Sequence, residues 1–287
     1  MDPLQPSDRP IPSHEYDDVQ LRQVEAFGGL EVLRAHLVSF RFSPHTHEEF
    51  MIALTEGGQG APRFWGSVQR VGPRAVFVLG PGEVHSGGPA EGASWRYRGL
   101  YLPAALMRRA VQELAGVDRG VPQFPEEVLD DPAVVTMLRQ AHLAFEEPSS
   151  TLERESRLLD ALTCLVAKYR VGRLPAQRIG REHRAVQRAK EYLDALPAEN
   201  VSLERLAQEA GLTPFHFCRV FLQETGLSPH TYQVLARVKR AKMLLAAGVP
   251  IAQAAVDAGF FDQAHLTRHF KRIFGVTPGR YLRQRTP

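Results

Sequence analysis

Apolar residues change their rhythm partway along this chain. Up to about residue 120 they come in short runs, among them Met51-Ile52-Ala53-Leu54 and Ala75-Val76-Phe77-Val78-Leu79, set between Glu56-Gly57-Gly58, Gly80-Pro81-Gly82 and Gly87-Gly88-Pro89. Runs of that length between turn formers predict the strands of a small barrel or sandwich. The stretch from Ser94 to Leu102 alternates, with Trp95, Tyr97 and Tyr101 on one face and Arg96 and Arg98 on the other. After about residue 125 the period becomes helical. Pro132 to Glu147 forms one predicted helix and Leu152 to Arg170 a second, whose Leu158, Leu159, Leu162, Leu165, Val166 and Tyr169 make one stripe. Ser150 with Glu153 supplies a capping box for it. Core packing is the plainer account of the stripe, and a dimer seam is the sharper one.

The last hundred residues are internally repeated. A shift of 48 places Ala207 on Ala255, Ala210 on Ala258 and Gly211 on Gly259. One residue is then inserted, and a shift of 49 matches His216 with His265, Arg219 with Arg268, Phe221 with Phe270, Gly226 with Gly275, Pro229 with Pro278 and Tyr232 with Tyr281. Each copy has the parts of a helix-turn-helix. In the first, Ser202 caps a short helix with Leu203, Leu206, Ala207 and Ala210 at helical spacing, Gly211 ends it, and Thr213-Pro214 opens the next. In the second, Pro250 opens, Gly259 ends and Asp262 caps. Between them Ser228-Pro229 starts a helix reaching about Ala247, with Gly248 behind it. At 1.5 Å per residue it spans about 27 Å, close to the roughly 34 Å between successive major-groove segments on one face of DNA.

Charge agrees with a polyanionic partner for this segment. Residues 183 to 287 hold 15 Lys+Arg against 8 Asp+Glu, net +7, and the remainder 20 against 24, net −4. On these residues the segment 183–287, above all Gly259 to Arg283, resembles the DNA-binding domain of the AraC/XylS family. The resemblance implies a sequence-specific transcription regulator that docks on two adjacent major-groove segments of double-stranded DNA. Helical faces then separate core from reader. Phe217, Phe221, Leu266 and Phe270 face inward, leaving Phe215, Cys218 and Arg219 in copy one and Gln263, Ala264, Thr267 and Arg268 in copy two for base contact. Lys271 and Arg272 are candidates for phosphate. His216 and His265 are expected to point inward or to satisfy the backbone.

The segment Ser43-Pro44-His45-Thr46-His47-Glu48-Glu49-Phe50, read as a strand, puts His45, His47 and Glu49 on one face. With Pro81 to His85 it resembles the two cupin motifs in reduced form, as in the ligand-binding barrel attached to many AraC-family regulators. The candidate ligand-binding residues are therefore His45, His47, Glu49, His85, Trp95, Arg96, Tyr97 and Arg98. Aromatics beside guanidinium groups suit a small polar or anionic effector such as a sugar or amino acid. The three histidines also suit a transition metal. The spacing lacks the usual cupin Glu after His47, for which Glu49 is the one substitute, and the resemblance to regulators whose empty barrels hold a small ligand directly implies no metal, cofactor or catalytic residue. A metal-dependent cupin enzyme fused to a DNA-binding domain is the alternative.

The expected fold class is a two-domain α+β chain: a cupin-like β-barrel with an appended helical pair, then an all-α domain of two helix-turn-helix units joined by a long helix. Its divisions are a flexible arm (1–18), the barrel and helical pair (19–171), a linker (172–182) and the DNA-binding domain (183–287). Only Cys164 and Cys218 are present, far apart, which fits a reducing compartment. The N-terminus has neither a basic start nor an apolar run, so no membrane partner and a cytoplasmic location are expected. A homodimer through the barrel and the 152–170 helix is a further expectation, and an activating role would add RNA polymerase as a partner.

Overall fold

The structure, a computed structural model, describes residues 16–172 and 182–283. Most of the expected arm and linker lies outside the described residues. Contacts divide the chain into two compact units, one comprising 1–109, 120–142 and 169–171, the other 110–119, 143–168 and 172–287.

The first unit is built on two antiparallel sheets. Strands β1 (Asp18–Val24), β2 (Leu30–Leu37), β9 (Trp95–Leu102), β4 (Phe50–Gly58) and β7 (Val76–Leu79) lie side by side in that order. The second sheet has the order β3 (Phe42–His45), β8 (His85–Gly87), β5 (Arg63–Phe64) and β6 (Ser67–Val68). Between the sheets lies a core that includes Leu33, Ala35, Leu37, Met51, Ala53, Phe64, Phe77, Leu79, Trp95 and Tyr97.

The apolar run in β4 is continuous because both faces of its sheet are covered. Met51 and Ala53 join the inter-sheet core. Ile52 and Leu54 line a small cavity on the opposite face with Leu138 and His142 of α2 (Pro132–Glu146). β9 alternates accordingly. Trp95 and Tyr97 turn inward, and Arg98, 6% exposed, turns toward α2. Its Nε lies 2.8 Å from Glu56 Oε1, and its Nη1 donates to His142 Nδ1 at 3.0 Å. His142 Nε2 in turn donates to the Leu33 carbonyl at 2.8 Å, so one buried imidazole joins helix to strand.

Two expectations about elements are corrected. Helix α1 (Ala104–Ala115) forms where the strand rhythm was expected to continue. Leu106, Met107, Ala110 and Val111, all buried, repeat at helical spacing, so among the described residues a further helix precedes the expected pair. Residues 46–49 are not strand: β3 ends at His45 and β4 begins at Phe50, with a bend between.

The second unit contains α3 (Thr151–Tyr169), except for its last residue, and α4 (His183–Ala195) through α10 (Pro278–Arg283). Ser150 Oγ accepts from Glu153 N at the start of α3. The first bihelical unit is α5 (Leu203–Ala210) and α6 (Pro214–Thr225); the second is α8 (Ile251–Asp257) and α9 (Gln263–Phe274). The caps form as their residue types require: Ser202 accepts from Arg205 N, Thr213 from His216 N and Asp262 from His265 N. Ala207 and Ala255 are both fully buried where their helices approach.

The long helix α7 (Pro229–Ala246) links the two units of the repeat. From its middle, buried Arg237 donates to the Pro197 carbonyl (2.7 Å) and the Glu199 carbonyl (3.0 Å), and Gln233 also donates to Glu199. This clamp fastens the loop between α4 and α5. Gly259 sits beside it with φ +89, and a Cβ there would lie 2.6 Å from Ala198 Cα. Only glycine fits.

Candidate nucleic-acid interface and barrel cavity

In α9 the amphipathic pattern sorts the side chains cleanly. His265, Leu266 and Phe270 are buried, while Gln263, Ala264, Arg268, Lys271 and Arg272 are exposed and Thr267 is half-buried. The first turn, capped by Asp262, therefore presents an amide, a methyl group and a guanidinium to solvent. Basic residues follow one turn later.

Copy one differs. Phe217 and Phe221 are buried as their spacing requires, but so are Phe215, at 2% exposure, and Cys218, at 4%. Both were expected on the free face, the one left once Phe217 and Phe221 turn inward. For Cys218 the covering comes from α3. Cys218 lies beside Ser156, with Asp160 and Glu155 nearby. Burial pushes the thiol well above its ordinary value and pushes the Asp160 carboxyl up to about 6. Arg219 is half-buried, and its Nη1 donates to the Glu113 carbonyl at 2.8 Å, in the last turn of α1. Burial lowers its pKa. The signal was in the sequence: Phe215, Phe217, Cys218, Val220 and Phe221 make α6 apolar on more than one face, the mark of a helix covered on both sides. What remains open on α6 is Leu222, Gln223 and Glu224, where copy two has Lys271, Arg272 and Ile273.

The two repeated histidines also part ways. His265 is 8% exposed, and burial holds it down at about 4. His216 Nε2 lies 3.1 Å from Glu182 Oε1.

In the first unit, an open-mouthed cavity of about 360 Å³ lies between the sheets. Its lining includes His45, His85, Trp95, Tyr97 and Tyr101, together with Phe42, Met51, Phe64, Phe77 and Leu79, which the sequence reading did not single out as site residues. The histidines gather although strand alternation does not place them. The ring centroids of His45 and His85 are 4.2 Å apart, those of His47 and His85 4.8 Å, and those of His47 and Tyr101 5.1 Å. In each histidine Nδ1 meets a backbone carbonyl two residues away: Ser43 for His45 (2.8 Å), Glu49 for His47 (2.7 Å) and Glu83 for His85 (3.1 Å). A carbonyl only accepts, so Nδ1 carries the proton and Nε2 is left over.

Burial lowers His47 and holds His85 at about 4. It raises Tyr97, and it raises Tyr101 to about 12. Glu49 is half-buried near His47 and Tyr101. Among the described residues no group of three or more His, Cys, Asp or Glu side chains is placed to hold a metal ion. Neither arginine of β9 lines this cavity. Arg98 is engaged on the opposite face, and Arg96 lies across Gly57, where a Cβ would come within 2.5 Å of its Nη2.

Residues 27–162 match the family model described as an AraC-like ligand binding domain, and residues 206–284 match that of a helix-turn-helix domain. The chain belongs to the AraC family. It is 27% identical over 250 residues to the uncharacterized HTH-type transcriptional regulator YbfI of Bacillus subtilis (strain 168), covering 87% of this chain and 90% of that protein. It is 24% identical over 242 residues to the arabinose operon regulatory protein of Escherichia coli (strain K12), covering 81% and 80%. A crystal structure of a probable AraC family transcriptional regulator from Rhodopseudomonas palustris CGA009 aligns with 36% of this chain and 99% of its own, at 26% identity and TM-score 0.34. The AraC-family protein is accordingly a transcriptional regulator with an N-terminal ligand-binding domain and a C-terminal DNA-binding domain. No described helix is long and apolar enough to cross a membrane.

Proposed function

We propose that the protein reads its operator chiefly through copy two. Gln263, Ala264, Thr267 and Arg268 meet base edges, and Lys271 and Arg272 meet phosphates. The exposed first turn of α9 carries this reading, because glutamine and arginine have the bidentate geometry for adenine and guanine. The second groove is served by copy one, whose Phe215, Cys218 and Arg219 take part only when α6 parts from Ser156 and Glu113. A small molecule in the barrel is the effector, contacted by His45, His85, Trp95 and Tyr97, and its binding changes the affinity for DNA. The protein acts without catalysis, as a homodimer in the cytoplasm, and where it activates it engages RNA polymerase. Gel shift of the full-length chain on its own upstream region, with and without metabolite pools, tests this. A retarded complex that responds to a metabolite is the expected result. Absence of any sequence-preferring complex overturns it.

A further inference from the structure

This inference rests on the reading of the barrel as the effector site and names what that site takes. We infer that the cavity binds a small uncharged ring compound bearing a hydroxyl donor, of the phenol or catechol class, with its ring on the aromatic walls and its hydroxyl on the histidines.

The walls are apolar and flat, with Phe42, Phe64, Phe77, Trp95 and Tyr97 facing the space. Trp95 is braced for this, since its ring stacks on Tyr97 at 4.3 Å and its Nε1 donates to buried Thr55. Among the described residues no Lys, Arg, Asp or Glu side chain lines the cavity, and β9 sends its guanidinium groups elsewhere. A carboxylate or an amino-acid zwitterion would thus be desolvated without a partner, a large cost.

A sugar fares little better, because hydroxyls all around its ring would face carbon on most sides. The polar groups gather at one edge. There His45 and His85, both lining the cavity, each have Nδ1 committed to a backbone carbonyl, which leaves Nε2 as the acceptor. A neutral imidazole held this way offers a lone pair, so it asks for a donor on the ligand. His47, behind them against His85 and Tyr101, does not itself line the cavity, and its Nε2 is buried without a hydrogen-bond partner. The enclosed space is only about 30 Å³ and the rest of the about 360 Å³ is open mouth, so a guest of about one ring is the most it takes, seated at the mouth with the walls parting around it.

Isothermal titration calorimetry of the full-length chain with phenol, catechol, toluene, benzoate, L-phenylalanine and D-glucose tests the class. Phenol or catechol should bind one per chain, and benzoate, the same ring with a charge, at least about tenfold more weakly. Toluene should bind about 3- to 10-fold more weakly than phenol, and His85→Phe should erase that preference. If His85→Phe does not fold, the phenol-against-toluene comparison on the unaltered chain tests the same bond. Tighter binding of benzoate, phenylalanine or glucose than of phenol overturns the class. Phenol binding that vanishes after EDTA treatment and returns with zinc overturns direct contact with the histidines. The two readings fail separately. Glucose binding that shifts DNA affinity removes the class and keeps the effector site, whereas phenol binding without any change in gel shift keeps the class and removes the effector role.

Discussion

Arg219 donates to the backbone carbonyl of Glu113 at 2.8 Å, while Arg268, its counterpart in the repeat, stands exposed on α9. Two copies of one motif thus present the same guanidinium in opposite states. Arg268→Ala should therefore weaken operator binding by the full chain about 10- to 100-fold, the worth of one bidentate base contact. Arg219→Ala should cost less than about threefold under the same conditions. Quantitative gel shift on matched and mutated operators measures both. Equal losses would remove the asymmetry between the copies.

Lys271 and Arg272 are assigned to phosphate rather than to base. Replacing either by Ala should weaken binding to all sequences alike and lower the slope of log affinity against log salt by about one. Fluorescence anisotropy on specific and scrambled duplexes across a salt series checks this, and a loss confined to the specific duplex would make them readers instead.

Acid should destabilise the helical unit. Burial, reinforced by neighbouring positive charge from Arg157, Arg268 and Arg272, holds His230 and His269 at about 3 and His265 at about 4, all below the ordinary 6.5. Below pH 6.5 the unfolded chain takes up protons that the folded chain refuses, so stability falls as pH drops from 6.5 toward 4. Asp160, raised to about 6 by burial, and Glu155, raised by burial as well, pull the other way, two groups against three. Urea titrations of the full chain at pH 7 and pH 5 should differ by about 2–4 kcal/mol, with the more acidic sample less stable. Equal stability at both values would contradict the burial of these rings.

Two equivalent glycines should respond unequally to alanine. Gly211 and Gly259 both close a first helix at positive φ, +72 and +89, but an added Cβ at Gly211 meets open space, and at Gly259 it meets Ala198. Gly211→Ala should cost about 1–2 kcal/mol of backbone strain. Gly259→Ala should exceed that by at least about 1 kcal/mol, since the backbone of the α4–α5 loop must also move. Thermal unfolding of the two variants decides it, and a Gly259→Ala protein as stable as Gly211→Ala would show that the clamp is loose.

Much of this protein was legible before any coordinates. The repeat, its caps at Ser202, Thr213 and Asp262, the inward set Phe217, Phe221, Leu266 and Phe270, and the alternation of β9 all follow from interactions a few residues long. Capping, helical period and strand period are written into neighbouring side chains. What the tertiary structure decided is where surfaces meet. Phe215 and Cys218 share a helix face with Arg219, and only the folded chain, with α3 against Cys218 and α1 against Arg219, shows that the face is covered. Arg96 and Arg98 looked like partners for an anion, but covering both faces of the sheet sends Arg98 to Glu56 and His142. His45, His47 and His85 were paired by motif, yet they converge because β3 lies against β8 and a bend follows His45, not because a strand continues through them. Local sequence determines which way a side chain points along its own element; what it points at depends on which other element is packed there, and that is a property of the folded chain.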